Sequence, residues 1–262
     1  MLNYYMSRYT TDTIYTFELF VVIILFLVLI ILWKQKGEKN SLLVYFITGI
    51  LHSIIELVAE GTGTRVISTT YLFGIFQIGY PFTAFILGFF EGGLFCLMGY
   101  HIVRILMNRD SFSLKFTSIL SIIFLTFSTL GAINTRMSLK SNPFVMTITR
   151  REIFSIGAII LLIISFVGSF GYFFLKKNIP SEHKISLIYF YLGVIFFTAV
   201  LTVPLHLLGV RFIEVYQNFV FMYASFIEQI IVMYGYSIVL EAAGFFLPFY
   251  VIIYHFNLIE LE

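Results

Sequence analysis

Long apolar runs, separated by short polar connections, dominate this chain. Seven runs of about 20 mainly apolar residues can be recognised, at Ile14–Trp33, Ser41–Glu60, Phe82–Ile105, Phe116–Ile133, Ile153–Leu175, Ile185–Leu208 and Asn218–Val239. A helix of this length crosses the hydrocarbon core of a membrane and satisfies its own backbone hydrogen bonds. The runs are too long and continuous for barrel strands. We therefore predict an all-α, polytopic integral membrane helical bundle with seven transmembrane helices and almost no sheet.

The composition agrees with a membrane protein. Of the 262 residues, 60% are hydrophobic and 11% are charged, and the mean hydropathy is +0.97. Soluble domains are about a quarter charged. No polar stretch is long enough for a second domain, so we predict a single transmembrane domain over residues 1–262. The net charge of +2 does not favour nucleic acid. The expected partners are membrane lipids and a hydrophobic small molecule, and the sequence does not determine the oligomeric state.

Two apolar stretches are too long for one span. Gly79 and Pro81 divide the stretch Tyr71–Ile105, which predicts an interfacial or re-entrant piece before the third helix. The stretch Asn218–Phe256 is either one helix with an interfacial tail after Gly244 and Pro248, or two short spans. The second alternative would give eight helices instead of seven.

Basic residues predict the orientation of the bundle. The connections after helices one, three and five carry nine of them, namely Lys34, Lys36, Lys39, Arg104, Arg109, Lys115, Lys176, Lys177 and Lys184. The opposite side carries seven, namely Arg8, Arg65, Arg136, Lys140, Arg150, Arg151 and Arg211. Because lysine-rich short loops favour the cytoplasm, we predict a multi-pass protein of the cell membrane with an extracellular N-terminus.

The second helix contains a stripe of ionisable residues. His52, Glu56 and Glu60 are spaced four apart, so they lie on one helix face. Ionisable groups at membrane depth are costly and usually face a cavity or a partner. The stripe therefore indicates where a functional site lies.

Other ionisable residues are predicted to lie in the same outer half of the membrane. At about 1.5 Å per residue, Glu91 of helix three and Glu228 of helix seven reach the depth of His52. We predict one shared cavity, with His52, Glu56, Glu91 and Glu228 as catalytic residues. The predicted substrate or ion cavity is completed by Glu60, Arg65, His206 and Arg211. Some of these carboxyl groups should be protonated or paired with His or Arg.

Several polar residues have a simpler interpretation. Glu18 and Glu241 lie near predicted interfaces, where their side chains are expected to extend to the headgroups. Thr149–Glu152 has the pattern of a capping box that opens the fifth helix. Gly88 and Gly92 form a pair of small residues that lets another helix approach Glu91 closely.

The sequence excludes several chemistries. No lysine occurs inside a predicted helix, which excludes a retinal Schiff base, and no phosphate-binding loop or H-E-x-x-H pair is present. Cys96 is the only cysteine, so it can form neither an intrachain disulfide nor a cysteine-based zinc site. Di-iron carboxylate bundles use Glu-x-x-His, whereas this chain has His-x-x-x-Glu. We expect no cofactor and no metal.

Three functions are compatible with an intramembrane His/Glu cavity. The run Gly49–Glu56 resembles the histidine–glutamate helix of emopamil-binding-type sterol isomerases. The resemblance covers one helix, and the helix count and the rest of the chain depart from that family. It implies that such a pair suits proton transfer on a lipidic double bond. We predict an acid–base enzyme of isomerase, hydratase or cyclase type that acts on a hydrophobic lipid or isoprenoid. The alternatives are a proton- or cation-coupled transporter and a non-catalytic membrane subunit or sensor.

Overall fold

Seven helices form the body of the protein in a computed structural model that describes residues 3–11, 14–67, 70–141 and 146–259. Each is long and apolar enough to cross a membrane, which confirms the predicted helical bundle. In chain order they are α1 (Ile14–Lys36), α2 (Lys39–Gly61), α3 (Phe82–Asn108), α4 (Ser111–Ser141), α5 (Ile156–Leu175), α6 (Ser181–Leu207) and α7 (Phe226–His255).

The last helix settles the choice between one span and two. Helix α7 continues through Gly244 and Pro248 to His255, so the final apolar stretch forms one span. It begins at Phe226, eight residues after the predicted start at Asn218, because the residues between them form a hairpin turn and the strand Val220–Tyr223. Pro81 ends the preceding connection as predicted, and α3 starts at the next residue.

The outer surface of the bundle is apolar. In α5, for example, Ile163, Ile164 and Val167 are 56%, 61% and 67% exposed. A contiguous surface of this kind is unfavourable in water and is suited to lipid. Large buried side chains such as Tyr45, Phe190 and Tyr250 fill the interior between the helices.

Two helices contain π-helical turns, which are rare and occur frequently at functional sites. One covers Gly88–Gly93 of α3, and the other covers Ile231–Ala242 of α7. Each contains a glutamate, Glu91 in the first and Glu241 in the second.

Helices α2 and α3 pack closely where the sequence predicted a small-residue contact. A Cβ atom on Gly88 would overlap Ser53, and one on Gly92 would overlap the Cβ atom of His52. Only glycine allows this separation, which brings the His52 side of α2 against the segment that carries Glu91.

A sheet covers one end of the bundle, so the prediction of almost no sheet was wrong. Its strands are β1 (Asn3–Thr11), β2 (Arg65–Val66), β5 (Met146–Glu152), β6 (Arg211–Gln217) and β7 (Val220–Tyr223). They pair antiparallel in the order β2–β5–β1–β6–β7. A separate hairpin of β3 (Thr70–Leu72) and β4 (Phe76–Ile78) forms the segment predicted to be interfacial or re-entrant.

Local sequence accounts for these strands. Residues 146–152 (MTITRRE) include β-branched side chains, which favour strands, and Thr149–Glu152 belong to β5 rather than to a capping box. Helix α5 instead starts after Ser155, whose hydroxyl accepts a hydrogen bond from the amide of Ala158 at 3.3 Å. Asn218 and Phe219 both have positive φ, as a two-residue hairpin turn between β6 and β7 requires.

The sheet assembles because its strands come from one end of the bundle. They belong to the N-terminal segment and to the connections after α2, α4 and α6, which an alternating seven-helix path places together. We call this the sheet end of the bundle. Strands far apart in sequence thus form one layer over the helix ends.

Candidate functional site

A cavity of about 1000 Å³ lies inside the bundle beneath the sheet. All seven helices contribute to its wall, and β1, β2, β5 and β6 contribute from the sheet. This volume is at the upper end of the usual range for small-molecule sites. Much of its wall is aromatic, with Phe90, Phe95, Phe124, Phe127, Phe246 and Phe249 among the lining residues.

The sheet brings arginines to the cavity. Four neighbouring strands each contribute one lining arginine in the described chain, namely Arg8 of β1, Arg65 of β2, Arg151 of β5 and Arg211 of β6. Arg8 is paired with Arg211 across β1 and β6, and Arg65 is paired with Arg151 across β2 and β5. Directly paired residues project from the same face of a sheet. The sheet therefore concentrates positive charge on its face toward the bundle.

The helices bring carboxylates to the same cavity. The lining glutamates from helices are Glu18 of α1, Glu56 of α2, Glu91 of α3 and Glu241 of α7. Glu152, at the end of β5, also lines the cavity. Negative charge from the helices and positive charge from the sheet thus meet at this level of the molecule.

Four of these ionisable residues form a tight cluster. His52 Nε2 lies 3.4 Å from Glu56 Oε1 and 3.9 Å from Glu91 Oε2. Arg65 Nη1 lies 2.6 Å from Glu56 Oε2, and Arg65 Nη2 lies 3.5 Å from Glu91 Oε2. One guanidinium therefore holds two carboxylates that both face one imidazole. We call these residues the His52 cluster.

The His52 ring is buried, with Nε2 within ion-pair distance of two carboxylates and Nδ1 without a partner among the described residues. Only 9% of its side chain is exposed, and neither ring nitrogen forms a hydrogen bond with the described residues. The ring lies 5.1 Å from that of Phe246, between centroids, and lines the cavity. Buried polar atoms normally have a hydrogen-bonding partner. Nδ1 therefore lacks the partner that a molecule in the cavity would provide.

The donor set resembles a metal site only in part. One ligand atom each from His52, Glu56 and Glu91 lies within 4.8 Å of the others, as a divalent cation would need. However, the Arg65 guanidinium already supplies positive charge to both carboxylates. Burial lowers the pKa of Arg65, but Glu56 and Glu91 outweigh this effect and raise the pKa above its usual value. A permanent cation here favours an ion-pair cluster over a metal centre.

Other charged residues of the cavity were missed or misread from sequence. Glu241 is 1% exposed and accepts a hydrogen bond from Arg151 Nη2 at 2.7 Å. Glu18 is 3% exposed and lies 4.0 Å from Arg8 Nη1. Neither glutamate extends to a headgroup region, so that interpretation was wrong. No local sequence signal marked Arg8 or Arg151, since their positions depend on strand pairing.

Glu228 does not belong to the cavity, contrary to the prediction. It lies in the first turn of α7, where it completes a capping box with Ser225. Its carboxylate also accepts a hydrogen bond from the Tyr4 hydroxyl at 2.6 Å. The depth estimate failed because α7 starts at Phe226. Glu228 therefore stabilises the helix start, whereas Glu241, 13 positions later in the sequence, reaches the cavity.

Glu60 and His206 also lie outside the cavity wall defined by the described residues. Glu60 Oε2 accepts a hydrogen bond from the Thr83 hydroxyl at 2.6 Å, which connects α2 to α3. His206 Nδ1 lies 3.1 Å from the Arg211 carbonyl and donates to it. Arg65 and Arg211, predicted with them, do line the cavity.

A second ion-pair cluster lies at the opposite end of the bundle. Arg104 donates to Glu38 through both terminal nitrogens, at 2.6 and 3.0 Å, and lies 2.7 Å from Asp110. Burial raises the pKa of Asp110, but the hydrogen bond from Ser113 and the charge of Arg104 bring it below its usual value. This cluster ties α2, α3 and α4 together and lines no part of the large cavity.

Comparison of the chain with models of known families, with curated proteins and with solved structures gave no match.

Proposed function

We propose that this protein is a membrane enzyme that transfers protons on an apolar molecule held in the cavity, with His52 as the proton-exchanging group. The observation that carries the proposal is the state of the His52 ring. It is buried, its Nε2 atom lies within 4.0 Å of two carboxylates, its Nδ1 atom has no partner among the described residues, and it lines an apolar space. Histidine is the side chain most often used for general acid–base catalysis.

The charges of the His52 cluster support this role. With both carboxylates ionised, Glu56, Glu91 and Arg65 carry one net negative charge, which a proton on His52 would cancel. The cluster can therefore hold one transferable proton without a net buried charge, whose desolvation would be costly. Glu56 and Glu91 would position the imidazole and stabilise its protonated form.

The reaction that best fits a proton-exchanging histidine beside an apolar cavity is migration of a double bond. A proton is delivered to one end of the double bond, and another is removed from the carbon beyond its other end. The double bond moves by one position, and the site regains its original protonation state. This reaction consumes no oxidant, reductant or second substrate.

The aromatic wall suits the charge that such a reaction develops. Phe246 and Phe249 lie 5.1 and 6.2 Å from the His52 ring, between centroids. The face of an aromatic ring attracts a cation within about 6 Å. A carbocation formed beside His52 would therefore be stabilised by these rings.

The test is incorporation of solvent deuterium. Purified protein in lipid nanodiscs is incubated in D₂O with a mixture of polyprenyl alcohols, sterols and unsaturated fatty acids, and the lipids are analysed by mass spectrometry. We expect deuterium at carbon in one class, with a rate that falls at least about a hundredfold in His52→Gln and Glu91→Gln. These variants retain hydrogen-bonding groups but impair proton exchange.

Two matched variants serve as controls. Glu228→Gln and His255→Gln change the same residue types outside the cavity and should leave the rate unchanged. Absence of deuterium from every lipid class, or incorporation that survives His52→Gln, would refute the enzymatic proposal.

A second candidate is a proton-coupled transporter, and the two π-helical segments favour it. Transporters place their sites where helices depart from regular α-helical geometry, and Glu91 and Glu241 each lie in a π-helical segment of a different, continuous helix. In proteoliposomes, an imposed sodium or potassium gradient would then drive an internal pH change that Glu91→Gln abolishes. Deuterium incorporation without ion-driven proton movement would favour the enzyme.

A further inference from the structure

Among the described residues, one arginine of the cavity, Arg211, has no carboxylate partner. Arg65, Arg151 and Arg8 each have a glutamate oxygen within 4.0 Å. Among the described residues no carboxylate lies that close to the guanidinium of Arg211. Its charge is therefore not offset by a direct ion pair.

The contacts of Arg211 are weak for a cation in a partly buried position. Nε and Nη2 point at the Met6 sulfur at 3.0 and 2.6 Å, and Nη1 donates to the Thr202 hydroxyl at 3.2 Å. A thioether sulfur is a weak acceptor. A buried charge normally has a paired counter-charge, because desolvation without one is costly.

Arg8 strengthens the positive potential beside Arg211. The two residues are directly paired across β1 and β6, so their side chains project from the same face of the sheet. Arg8 Nε is buried and has no hydrogen-bond partner among the described residues. Burial, with the positive charges of Arg151 and Arg8, lowers the pKa of Arg211 to about 9, so its guanidinium remains charged at neutral pH.

Beyond these arginines the cavity is largely apolar. Leu161, Leu201 and Leu205 line it together with the phenylalanines described above. A molecule that fits both regions has an anionic group at one end and a hydrocarbon body at the other. Arginine binds carboxylate and phosphate through paired donors, so either head group would satisfy this end.

We propose that the cavity binds an anionic amphiphile, whose carboxylate or phosphate head contacts Arg211 and Arg8 and whose hydrocarbon body lies between the helices. That this amphiphile is also the substrate of His52 rests on the function proposed above. Binding itself does not depend on it. The head group would hold the molecule at the sheet end, with its body in the cavity that the His52 ring lines.

The experiment measures binding instead of turnover. Protein in nanodiscs of uncharged lipid is titrated with oleate, methyl oleate, dodecyl phosphate and inorganic phosphate. We expect oleate or dodecyl phosphate to bind at least tenfold more tightly than methyl oleate and inorganic phosphate. This comparison uses the unmodified protein, so it does not depend on the folding of a variant. Equal affinity for methyl oleate, or equal affinity for inorganic phosphate, would overturn the proposal.

Variants then locate the head group. Arg211→Gln should weaken binding at least tenfold, because a charge-assisted contact is lost. Arg136→Gln removes an exposed arginine that donates to the Leu208 carbonyl and should not change affinity. An affinity unchanged by Arg211→Gln would contradict the assigned position.

The two proposals can fail separately. His52→Gln should bind oleate or dodecyl phosphate as the unmodified protein does. If deuterium incorporation is absent while Arg211-dependent binding persists, the enzymatic proposal fails and the amphiphile site stands. If deuterium enters a neutral lipid while neither oleate nor dodecyl phosphate shows binding that depends on Arg211, the amphiphile site fails and the enzymatic proposal stands.

Discussion

Arg65 holds the His52 cluster together. Its guanidinium contacts Glu56 and Glu91, whose side chains are only 7% and 29% exposed. Two carboxylates this close repel each other, and burial adds a desolvation cost. The neighbouring arginine offsets both effects, so the imidazole of His52 can stay between two charged groups. Arg65 follows the turn after α2 and lies in β2. A residue from a strand therefore holds together a cluster whose other members lie on helices.

Removal of Arg65 should destabilise the protein strongly. Arg65→Met leaves two buried carboxylates uncompensated, and loss of one partner from a buried ion pair costs about 3 kcal/mol. The double variant Arg65→Met/Glu56→Gln should recover part of this loss, since it also removes one of the unpaired charges. Chemical unfolding of the purified protein in detergent measures both changes. If the two substitutions had strictly additive effects, the residues would not be coupled.

At the scale of elements, the contact between α2 and α3 sets the distance between His52 and Glu91. Gly88 and Gly92 remove the side chains that would separate the helices. Glu91 lies between them in the π-helical segment Gly88–Gly93. A π-helical turn contains about one residue more than an α-helical turn, and this changes the direction of the side chains that follow. The segment thus combines close packing with a carboxylate that reaches the cavity.

Gly92→Ala tests this packing. The added methyl group would overlap the Cβ atom of His52, and overpacking of a tight contact costs about 1–3 kcal/mol. The control is Gly168→Ala in α5, where an added Cβ atom would meet no atom within 4 Å. Gly168→Ala should be neutral or stabilise the helix by up to about 1 kcal/mol. Equal unfolding midpoints for the two variants would show that α2 and α3 are not packed this closely.

At the scale of the whole molecule, two layers divide the charges of the cavity. The helices supply glutamates at membrane depth, and the sheet supplies arginines from above them. Several basic residues of the sheet end therefore form ion pairs with carboxylates of the protein. The lysines of the opposite end lie in or beside the short connections that follow α1, α3 and α5. Arginines that are paired with carboxylates at one end, and lysines in short connections at the other, strengthen the expectation that the lysine-rich end faces the cytoplasm.

Cysteine labelling tests that orientation. Gln217 and Lys177 are exposed at opposite ends of the bundle, and the native Cys96 is fully buried. In intact cells, Gln217→Cys should react with a membrane-impermeant maleimide, whereas Lys177→Cys should react only after permeabilisation. The unmodified protein measures the background. The reverse pattern would place the sheet and the adjoining cavity on the cytoplasmic side.

Sequence alone determined the features that depend on local spacing. The seven spans follow from the length of the apolar runs, because a membrane imposes one helix length on each crossing. The proximity of His52 and Glu56 follows from their spacing of four, which stacks side chains on one face of any helix. Gly88 and Gly92 likewise indicated a close helix contact, since absent side chains permit it.

Only the tertiary structure decided which charges meet in the cavity. Arg151 lies 90 residues before its partner Glu241, and the pairing of β1, β2, β5 and β6 sets where the arginines point. Strand pairing between distant segments leaves little periodic signal in each short strand. The depth of Glu228 was misjudged for the same reason, because the hairpin of β6 and β7 takes up the residues before Phe226. Local spacing thus located the His52 face, whereas long-range pairing brought the opposite charges to it.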